Sequence, residues 1–544
     1  AELLIDYLHN ASRTDRGWAV AAIAGTLSFE FFKRKLIKDL IVDRVDPVLF
    51  DLSYDYVGEM SETIAHLWST CVPHSTAAVN ELPSLTEVVT TFSSLPKADV
   101  AEELVKLLDV MTPVQRWALL KLGTKGLRIG ISARFLKKIL SQYAQQQGNN
   151  ISVEDIERVW HGVKPPYHEL FDWLDGKANV PDVSNQLTFQ PVMLAHPISD
   201  DTLNNITSKH WQAEWKYDGI RAQLVRNKAG AALFSRTGDD ISNSFPEFIS
   251  AIEASNIVGR FDGELLALQP TSTSENNNTS KPVSMLSRIA SFNQLQQRLN
   301  KKRPAKTLIQ NIPVGMIVYD VLDLPPATAP ENQVHTNSDV RVLNLSKRHE
   351  LIHQYLQQHP CEVITASSSL SFNNSDDLAT LKEQANELGT GYIEGLMLKR
   401  KAGNYKAGRP TGEWYKLKRD PKLIDAVIMY AQRGHGKRSS FYSDFTFGCW
   451  QQETLLPIGK AYSGFTNDEL KQLDTWVRRN TIGRFGPVKE VNKALVFEIA
   501  FDSVHTSNRH KSKVALRFPR IHRIRWDKPA NEADQLSTLV NMIE

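Results

Sequence analysis

An ordered series of short motifs restricts the possible folds of this chain more than any other feature. It begins with Glu214-Trp215-Lys216-Tyr217-Asp218-Gly219 and continues with Asp262-Gly263-Glu264, Val318-Tyr319-Asp320, Glu394-Gly395-Leu396, Trp414-Tyr415-Lys416-Leu417-Lys418 and Arg517-Phe518-Pro519-Arg520. A Lys-x-Asp-Gly match alone would occur by chance in roughly one average chain of this length in ten. The whole series therefore carries the argument, and it marks Lys216 as a candidate nucleophile toward phosphorus.

Length and composition indicate an ordinary globular protein of about two to four domains. Of its 544 residues, 41% are hydrophobic and 23% are charged. No apolar run approaches the ~20 residues that cross a bilayer, and no charged segment followed by an apolar one marks a secretion signal at the start. The cysteines include no Cys-x-x-Cys pair, which argues against a zinc ribbon and a disulfide framework. We therefore predict a cytoplasmic protein without membrane contact.

Basic residues are concentrated in two segments of the chain. The net charge of +3 is by itself too small to indicate a polyanionic partner. However, nine Lys and Arg residues lie between Lys399 and Lys422, and eight lie between Arg509 and Lys528. A solvated face is the ordinary interpretation of a single run of this kind. Because both runs coincide with a motif, we interpret them as surfaces that contact phosphate.

Residues 1 to about 185 show the periodicity of helices. Phe29, Phe32, Leu36 and Leu40 recur at steps of three and four, which predicts one apolar helix face. The segment Thr112-Pro113-Val114-Gln115 combines an N-cap, a proline at the first helical position and a capping-box glutamine. We therefore expect an all-helical N-terminal part.

Strand patterns dominate after a polar, proline-containing stretch at 175–190, which predicts a linker. Residues 222–225 and 231–235 flank a turn and predict a β-hairpin. Residues 271–279 are rich in Ser, Thr and Asn, which predicts a surface loop. Near the C-terminus, residues 495, 497 and 499 point one way and residues 496, 498 and 500 the other, as in a half-buried strand.

These motifs resemble those of the ATP-dependent DNA ligases, a branch of the covalent nucleotidyltransferases. The similarity is to bacterial ligases with an added N-terminal DNA-binding domain, a three-part plan that the eukaryotic replicative ligase shares. It extends from the first helical segments to Lys528 and is more specific after Asn185. The resemblance implies a multidomain α+β fold, with an all-α DNA-binding domain at 1–185, an α+β nucleotidyltransferase (adenylation) domain at 186–419 and a C-terminal OB-fold β-barrel at 420–544.

The resemblance also implies roles at one nucleotide site. Lys216 would take AMP from ATP, and Glu214 would accept a hydrogen bond from the adenine amino group. Tyr319 would stack on adenine, where the family often has phenylalanine; a core aromatic is the alternative. Glu264 would contact the ribose and, with Glu394, hold Mg²⁺ or Mn²⁺, since Mg²⁺ usually takes one or two carboxylates besides phosphates and water. A solvated lysine or a surface salt bridge is the ordinary alternative for each charged residue.

Basic residues of the central motifs would bind phosphate. The guanidinium forks of Arg221 and Arg236 suit the phosphate of AMP or the 5′-phosphate of a nick. Lys416 and Lys418 are two positions apart, so both fall on one face of a strand and can meet the α-phosphate. By resemblance, Arg409 is a further candidate for a phosphate contact.

Other basic residues would contact DNA or pyrophosphate. In the C-terminal part these are Arg517, Arg520, Arg523 and Arg525, for which a basic barrel surface that only binds DNA is the alternative. Arg128 lies in a segment that resembles the Leu-Arg-x-Gly stretch of ligase DNA-binding domains, which contacts the minor groove and the DNA backbone. A helix-helix connection with a partner-binding surface is the alternative for that segment.

The implied activity is the sealing of nicks in double-stranded DNA through a lysyl-AMP and a DNA-adenylate. The resemblance implies a monomer that acts in the bacterial cytoplasm at the nucleoid, in DNA repair. An RNA ligase or an mRNA-capping guanylyltransferase remains an alternative, because these enzymes use the same lysine motif. A non-catalytic nucleic-acid clamp with vestigial motifs is the alternative from another class. An NAD-dependent ligase fits less well, since its zinc site requires a cysteine cluster.

Overall fold

A computed structural model describes the chain except for residues 28–31, 58, 72–81, 125–126, 128, 184–185, 271–283, 300, 302, 326–337, 389–391, 435–439, 508–509 and 544, and except for the side chains of 55–56, 338 and 386–388. Arg128 and the loop predicted at 271–279 therefore lie outside the described residues. The fold divides into two units, Ala1–Gln190 and Pro191–Glu544. The domain boundaries at 185/186 and 419/420 stay predictions.

The first unit is built of helices, as predicted. They are α1 (Glu2–Asn10), α2 (Arg13–Ala24), α3 (Arg34–Val42), α4 (Pro47–Val57), α5 (Met60–Leu67), α6 (Leu85–Ser94), α7 (Val100–Val110), α8 (Pro113–Gly123), α9 (Ala133–Gln146), α10 (Val153–Trp160) and α11 (His168–Leu174). They pack into two apolar cores, one around Tyr143 and Trp160 and one around Trp68 and Leu104. None of the described helices of the chain is long and apolar enough to cross a membrane.

Local signals explain one helix start, and tertiary packing explains a departure from prediction. The backbone N–H of Gln115 donates to Thr112 Oγ1 and the Gln115 side chain accepts from the Thr112 N–H, so the predicted capping box is confirmed. By contrast, α3 begins two residues after Phe32, and Phe29 lies outside the described residues. Phe32 is nevertheless buried, with its ring 5.7 Å from that of Phe92. Phe32 is therefore buried by contact with another helix and not because it lies on the apolar face of α3.

The second unit begins with a two-sheet part. Its elements are β1 (His196–Pro197), α12 (Asp200–Leu203), β2 (Trp211–Tyr217), β3 (Ile220–Asn227), β4 (Gly230–Ser235), α13 (Pro246–Ala254), β5 (Gly259–Ala267), α14 (Phe292–Gln296), α15 (Lys306–Asn311), β6 (Val314–Leu324), β7 (Ser338–Asp339), α16 (Leu345–Gln358), β8 (Ile364–Ala366), β9 (Ser369–Leu370), α17 (Ser375–Leu388), β10 (Ile393–Arg400) and β11 (Trp414–Lys418).

Two sheets organise this part. One has the strand order β1-β11-β10-β2-β9, and the other has the order β4-β3-β5-β6-β7 with β8 against β6. Strands β3 and β4 pair antiparallel from Asn227 opposite Gly230 to Ala222 opposite Ser235, which confirms the predicted hairpin. Each motif strand therefore sits beside another motif strand: β2 pairs with β10, β10 with β11, and β3 with β5.

The unit ends in a barrel. Its elements are β12 (Lys422–Arg433), β13 (Tyr442–Gln451), β14 (Thr454–Ala461), α18 (Asn467–Arg479), β15 (Thr481–Phe485), β16 (Val488–Val491), β17 (Val496–Phe501), β18 (Ser503–Thr506), β19 (Val514–Arg517), β20 (Arg520–Arg525) and α19 (Leu536–Val540). Strands β12–β17 and β20 form one sheet, and β18 and β19 form a two-stranded sheet. The predicted α+β architecture of helical, two-sheet and barrel parts is thus present.

Strand β17 differs from the expected half-buried pattern. Phe497 and Ile499 lie in the main barrel core, as the alternation predicts. On the opposite face, however, Val496 is 0% and Ala500 is 1% exposed. Val496 packs in a second apolar cluster, so side chains on both faces of β17 are buried.

Candidate active site

A cleft of about 470 Å³ in the second unit collects residues from both sheets and from the barrel. It brings together most of the residues that the motifs nominated. These are Glu214, Lys216, Arg221, Arg236, Glu264, Tyr319, Glu394, Arg409, Lys416, Lys418 and Arg517. Residues separated by up to some three hundred positions in the chain thus meet around one space.

Lys216 lies near the end of β2, opposite Gly395 of β10. Its ammonium group donates a hydrogen bond to Glu394 Oε1, and Lys418 Nζ lies 2.9 Å from the other oxygen, Oε2. Burial opposes ionisation of this carboxyl, but the charges of Lys216 and Lys418 outweigh it and hold the pKa of Glu394 at about 2. Glu394 is therefore an ionised carboxylate that two lysines share.

Two motif glycines permit the close approach of these strands. A Cβ atom on Gly219 would lie 2.3 Å from the backbone oxygen of Leu265. Gly395 has a φ of +135°, and a Cβ atom there would lie 2.2 Å from the backbone oxygen of Leu417. A larger residue at Gly219 would collide with β5, and one at Gly395 would push β10 away from β11, the strands that carry Glu394 and Lys418, which gives a physical reason for glycine in both motifs.

Glu264 faces the same cleft from β5. Within the described ranges its carboxylate has no hydrogen bond or ion pair. Burial raises the pKa of Glu264 to about 8; Lys216 opposes this shift and Glu394 adds to it. In the described part of the chain, no three or more His, Cys, Asp and Glu residues are grouped so that they could together hold a metal ion. A hard divalent cation that also binds phosphate and water needs only one or two carboxylates, so Glu264 with Glu394 fits such an ion.

The cleft is also lined by a buried ion pair that lies beside aromatic rings. Lys399 Nζ lies 2.9 Å from Glu214 Oε1 and 3.0 Å from the backbone oxygen of Tyr319, and both charged side chains are 1% exposed. Gln212 Nε2 also donates to Glu214 Oε1 at 2.9 Å. The Lys399 ammonium lies 4.7 Å from the ring centroids of both Tyr319 and Trp414. This network fixes the Glu214 carboxylate beside two aromatic rings.

Sequence reasoning missed this role of Lys399. It counted the residue in a basic segment expected to form a phosphate-contacting surface, whereas the side chain is buried against Glu214. A signal was available: Lys399 ends the otherwise apolar run Leu396-Met397-Leu398 of β10. A lysine inside a buried strand requires a charged partner.

Several further cations line the cleft. Burial lowers the pKa of Lys416, and the neighbouring charges of Lys418, Lys216 and Arg409 lower it further. Arg236 lines the same cleft. Trp414, Lys416 and Lys418 alternate along β11 and all line the cleft, so they lie on one face of the strand. Clustered cations of this kind suit a polyanionic ligand such as a triphosphate.

Arg221 lines the cleft, but its guanidinium group is bound by the buried Asp262 carboxylate. Its Nε and Nη2 atoms donate to the two oxygens of Asp262 at 3.1 and 2.7 Å. Asp262 is fully buried and also accepts from the Tyr405 hydroxyl at 2.6 Å. The guanidinium group is therefore fixed in orientation, with part of its fork already occupied.

The structure separates the four barrel arginines nominated by the sequence. Arg517 lines the cleft, where it pairs with Asp218 and stacks 3.9 Å from the ring centroid of Phe292. Arg520 borders a smaller adjoining pocket. Sequence reasoning gave Asp218 and Phe292 no role of their own. Asp218 is part of the lysine motif, so its position was the available signal; Phe292 had none.

Arg523 and Arg525 form ion pairs with other residues of the barrel part and are not among the residues that line the cleft. Arg523 lies 3.6 Å from Glu498 and its side chain is 60% exposed. Arg525 lies 3.2 Å from Asp425 and 2.8 Å from Asp527. Their expected contact with DNA or pyrophosphate stays a prediction.

Comparison with known proteins identifies the family. Residues 192–418 match the family described as "ATP dependent DNA ligase domain", and residues 438–528 match "ATP dependent DNA ligase C terminal region". The chain is 30% identical over 502 residues to a "Probable DNA ligase" of Koribacter versatilis, covering 89% of this chain and 81% of that protein. A "Probable DNA ligase" of Opitutus terrae is 32% identical over 354 residues, covering 60% of this chain and 32% of that longer protein.

A solved structure named "Pmar-Lig_PreS3" resembles the fold with a TM-score of 0.55 and 16% identity, covering 96% of this chain and 99% of that chain. At this identity the likeness concerns the fold alone. Taken with the sequence relatives, the chain belongs to the family of ATP-dependent DNA ligases, enzymes that take AMP from ATP and join DNA strands. The class of protein and the AMP donor expected from the motifs are confirmed.

Proposed function

We propose that the chain seals nicks in duplex DNA with Lys216 as the covalent carrier of AMP. The observation that carries this proposal is the convergence of Lys216, a carboxylate pair, a cation cluster and an aromatic end with a fixed carboxylate around one cleft. Each of these features matches one part of ATP: the α-phosphorus, the metal-bound phosphates, the phosphate charge and the purine.

The first step transfers AMP to Lys216. Before its lone pair can attack the α-phosphorus, the Lys216 ammonium must pass a proton to solvent in the open cleft, where its side chain is 22% exposed, and must leave its hydrogen bond to Glu394. A P–N bond then forms, and the P–O bond to pyrophosphate breaks. Lys416, Lys418 and Arg409 neutralise charge on the phosphates, so the barrier is lowered by positioning and electrostatics.

The purine end orients the substrate. Glu214, held by Lys399 and Gln212, accepts a hydrogen bond from the exocyclic amine of adenine. Tyr319 stacks on the base. A guanine would present a carbonyl oxygen to the same carboxylate, and two acceptors repel each other. The geometry therefore favours ATP over GTP.

Glu264 and Glu394 would hold one Mg²⁺ or Mn²⁺ ion together with the nucleotide. When bound, the ion supplies positive charge to the phosphate oxygens as a Lewis acid. Glu264 would also contact the ribose, as the resemblance implies. The Glu394 carboxylate cannot bind the Lys216 ammonium and a metal ion equally well at the same time. Binding of the ion by Glu394 is therefore compatible with the release of Lys216.

The later steps use DNA. AMP moves from Lys216 to the 5′-phosphate of the nick, forming a pyrophosphate linkage, and the 3′-hydroxyl then attacks that phosphate and expels AMP. Arg221 and Arg236 would meet the phosphates, and Arg517, Arg520, Arg523 and Arg525 would contact pyrophosphate or the DNA backbone.

The parts divide these tasks. Residues 1–185, including Arg128, would bind the duplex through phosphate and minor-groove contacts. Residues 186–419 would carry adenylation, and residues 420–544 would form the OB-fold. We propose that the protein acts as a monomer in the bacterial cytoplasm at the nucleoid, in repair.

The test is to incubate the protein with Mg²⁺ and ATP labelled at the α-phosphate and then to supply nicked DNA. Wild type should become labelled and seal the nick, whereas Lys216→Ala should do neither. Lys228→Ala is the matched control, because Lys228 is exposed in the turn between β3 and β4. Labelling of Lys216→Ala at the wild-type level would refute the proposal.

A second comparison addresses the remaining alternatives. With equal concentrations of ATP and GTP, only ATP should label the protein, and nicked DNA should be joined in preference to nicked RNA. Preferred labelling by GTP would indicate a capping-type enzyme, and preferred sealing of RNA would indicate an RNA ligase. Binding of nicks without any labelling would indicate a non-catalytic clamp.

A further inference from the structure

Two histidines of α16 form a pair that the proposed function does not use, and they are not among the residues that line the cleft. His349 and His353 are four positions apart, so they share one face of the helix. Their ring centroids are 4.5 Å apart. The Nε2 atom of each ring lies 3.1 Å from the same backbone oxygen, that of Ser367. Two imidazole nitrogens and a carbonyl oxygen therefore converge on one point.

The sheet fixes the third member of this group. Ser367 follows β8 directly and is 2% exposed. Its backbone N–H donates to the Val318 oxygen of β6 at 2.7 Å. His349 and His353, by contrast, are only partly buried. Water can therefore reach the two rings and complete a coordination shell around an ion that they bind.

The hydrogen bonds and the surroundings indicate the protonation of the pair. A carbonyl oxygen only accepts hydrogen bonds, so each ring carries a proton on Nε2. Burial lowers the pKa of His349; the charge of Glu214 opposes this shift, whereas the charges of His353 and Lys399 add to it. His349 is therefore neutral at pH 7. Its Nε2 becomes a metal ligand when the proton moves to Nδ1, without net release of a proton.

We propose that His349, His353 and the Ser367 carbonyl oxygen form a site for a transition-metal dication of the Zn²⁺ class. Zn²⁺ readily binds imidazole nitrogen, whereas Mg²⁺ prefers oxygen ligands and keeps several waters. The site thus differs in chemistry from Glu264 and Glu394 in the cleft. Only two of its ligands are side chains, because the third is a backbone oxygen.

The glutamate next to the pair shows what kind of site this is. The segment His349-Glu350-Leu351-Ile352-His353 has the His-Glu-x-x-His spacing of zinc-dependent proteases, in which the glutamate is the general base. Here Glu350 accepts from Lys347 Nζ and from Gln354 Nε2, both at 3.0 Å. Its side chain is 48% exposed. Because this carboxylate is already bound on the surface, the site holds a metal ion and is not a hydrolytic centre.

The test measures the zinc that the full chain retains after treatment with a chelator and dialysis against Zn²⁺. Excess Mg²⁺ is present, so that it competes for the carboxylates of the cleft. Wild type should retain Zn²⁺. His349→Gln and His353→Gln should each weaken zinc binding at least about tenfold, since loss of a ligand costs no less than loss of an outer-shell partner.

Two controls address the other zinc-binding side chains nearby. His359 follows α16, and its ring lies 4.5 Å from that of Tyr355. Cys361 is the cysteine nearest to the pair in the sequence. His359→Gln and Cys361→Ser should both bind zinc as wild type does.

Thermal unfolding gives a second readout. An ion that binds only the folded chain stabilises it, so Zn²⁺ should raise the thermal midpoint of wild type but not that of His349→Gln or His353→Gln. The transition of each variant without zinc shows whether the variant is folded. Two independent variants keep the test usable if one of them does not fold.

The inference is overturned if wild type retains no Zn²⁺, or if both histidine variants retain it as wild type does. Loss of zinc binding in Cys361→Ser would also overturn it, because a thiolate would then be a ligand. The labelling of Lys216 by ATP takes no part in these measurements. Failure of this inference and failure of the proposed function are therefore distinguishable.

Discussion

At the scale of single residues, burial determines what a charged side chain can do. Lys216 and Lys399 lie on neighbouring strands and both pair with a glutamate. Lys399 is 1% exposed, with its ammonium bound by protein oxygens. Lys216 is 22% exposed and lines the cleft. The same lysine–glutamate pairing thus makes Lys399 a residue that fixes Glu214, whereas it leaves Lys216 accessible as a candidate nucleophile.

Removal of Lys399 should destabilise the second unit strongly. Lys399→Met leaves the Glu214 carboxylate buried without its cation, which typically costs about 3–5 kcal/mol in the free energy of unfolding. Chemical denaturation followed by tryptophan fluorescence measures this loss. The double variant Glu214→Gln, Lys399→Met should recover much of it, since no unpaired charge remains.

Lys347→Met is the control for this prediction. Lys347 lies 3.0 Å from Glu350, and the two side chains are 50% and 48% exposed. A pair of this kind contributes at most about 1 kcal/mol. An equal loss of stability in Lys347→Met and Lys399→Met would contradict the importance of the buried pair.

The positions of single residues around the cleft could be predicted from the sequence where a motif contains them. Lys216, Glu264, Glu394, Lys416 and Lys418 all line the cleft, as their motifs predicted, and their roles stay predictions. The partners of such residues could not be predicted. The Lys418–Asp502 and Arg517–Asp218 pairs depend on how the barrel packs, and no local spacing encodes that packing.

At the scale of elements, helices α2, α9 and α11 meet at a buried polar network. Arg16 Nη2 lies 2.6 Å from Asp175 Oδ2, and their side chains are 9% and 6% exposed. The Tyr143 hydroxyl donates to Asp175 Oδ1 at 2.8 Å. Burial acts to raise the pKa of Asp175, but hydrogen bonds from Arg16, Tyr143 and Lys177 outweigh it, and the pKa is lowered.

This network predicts a loss of stability in acid. Because the pKa of Asp175 is lower in the folded than in the unfolded chain, the carboxylate contributes stability above the ordinary aspartate pKa of about 3.9. That contribution is lost as the pH falls from there through the folded value. Asp175→Asn should therefore flatten the fall of the thermal midpoint below about pH 4 and lower the midpoint at neutral pH.

Asp172→Asn tests whether the effect belongs to the buried pair. Asp172 pairs with Arg13 on the same two helices, but these side chains are 26% and 53% exposed. Its substitution should change both the midpoint and its pH dependence much less. The prediction fails if the acid limbs of Asp175→Asn and wild type coincide.

Element boundaries were predictable where the signal is local. The capping box at Thr112 and the hairpin of β3 and β4 depend on residues within a few positions of each other. The surroundings of Phe32 and the second covered face of β17 depend on distant parts of the chain. Periodicity shows that a residue is buried but does not identify the element that buries it.

At the scale of the whole molecule, the two units separate the proposed tasks. Every residue that lines the cleft lies between Leu194 and Phe518, within the second unit. A fragment of residues 191–544 should therefore become labelled by ATP at a rate close to that of the full chain. Its affinity for nicked duplex DNA should fall by about tenfold or more, since phosphate contacts of the first unit are lost.

Labelling at the α-phosphate and fluorescence anisotropy with nicked DNA measure these two properties. Full retention of DNA affinity by the fragment would contradict the proposed role of the helical unit. Loss of labelling by a folded fragment would show that adenylation depends on the first unit.

The short strand β11 has one more consequence for the choice of ligand. Its Trp414, Lys416 and Lys418 face the cleft at alternate positions, and successive ones are roughly 7 Å apart along the strand. One aromatic side chain and then two cations therefore follow one another at fixed distances along the strand. We expect a bare nucleoside to contact only the aromatic side chain, whereas a nucleotide with a phosphate tail also reaches the two lysines. Selection by length is in this way added to selection by charge.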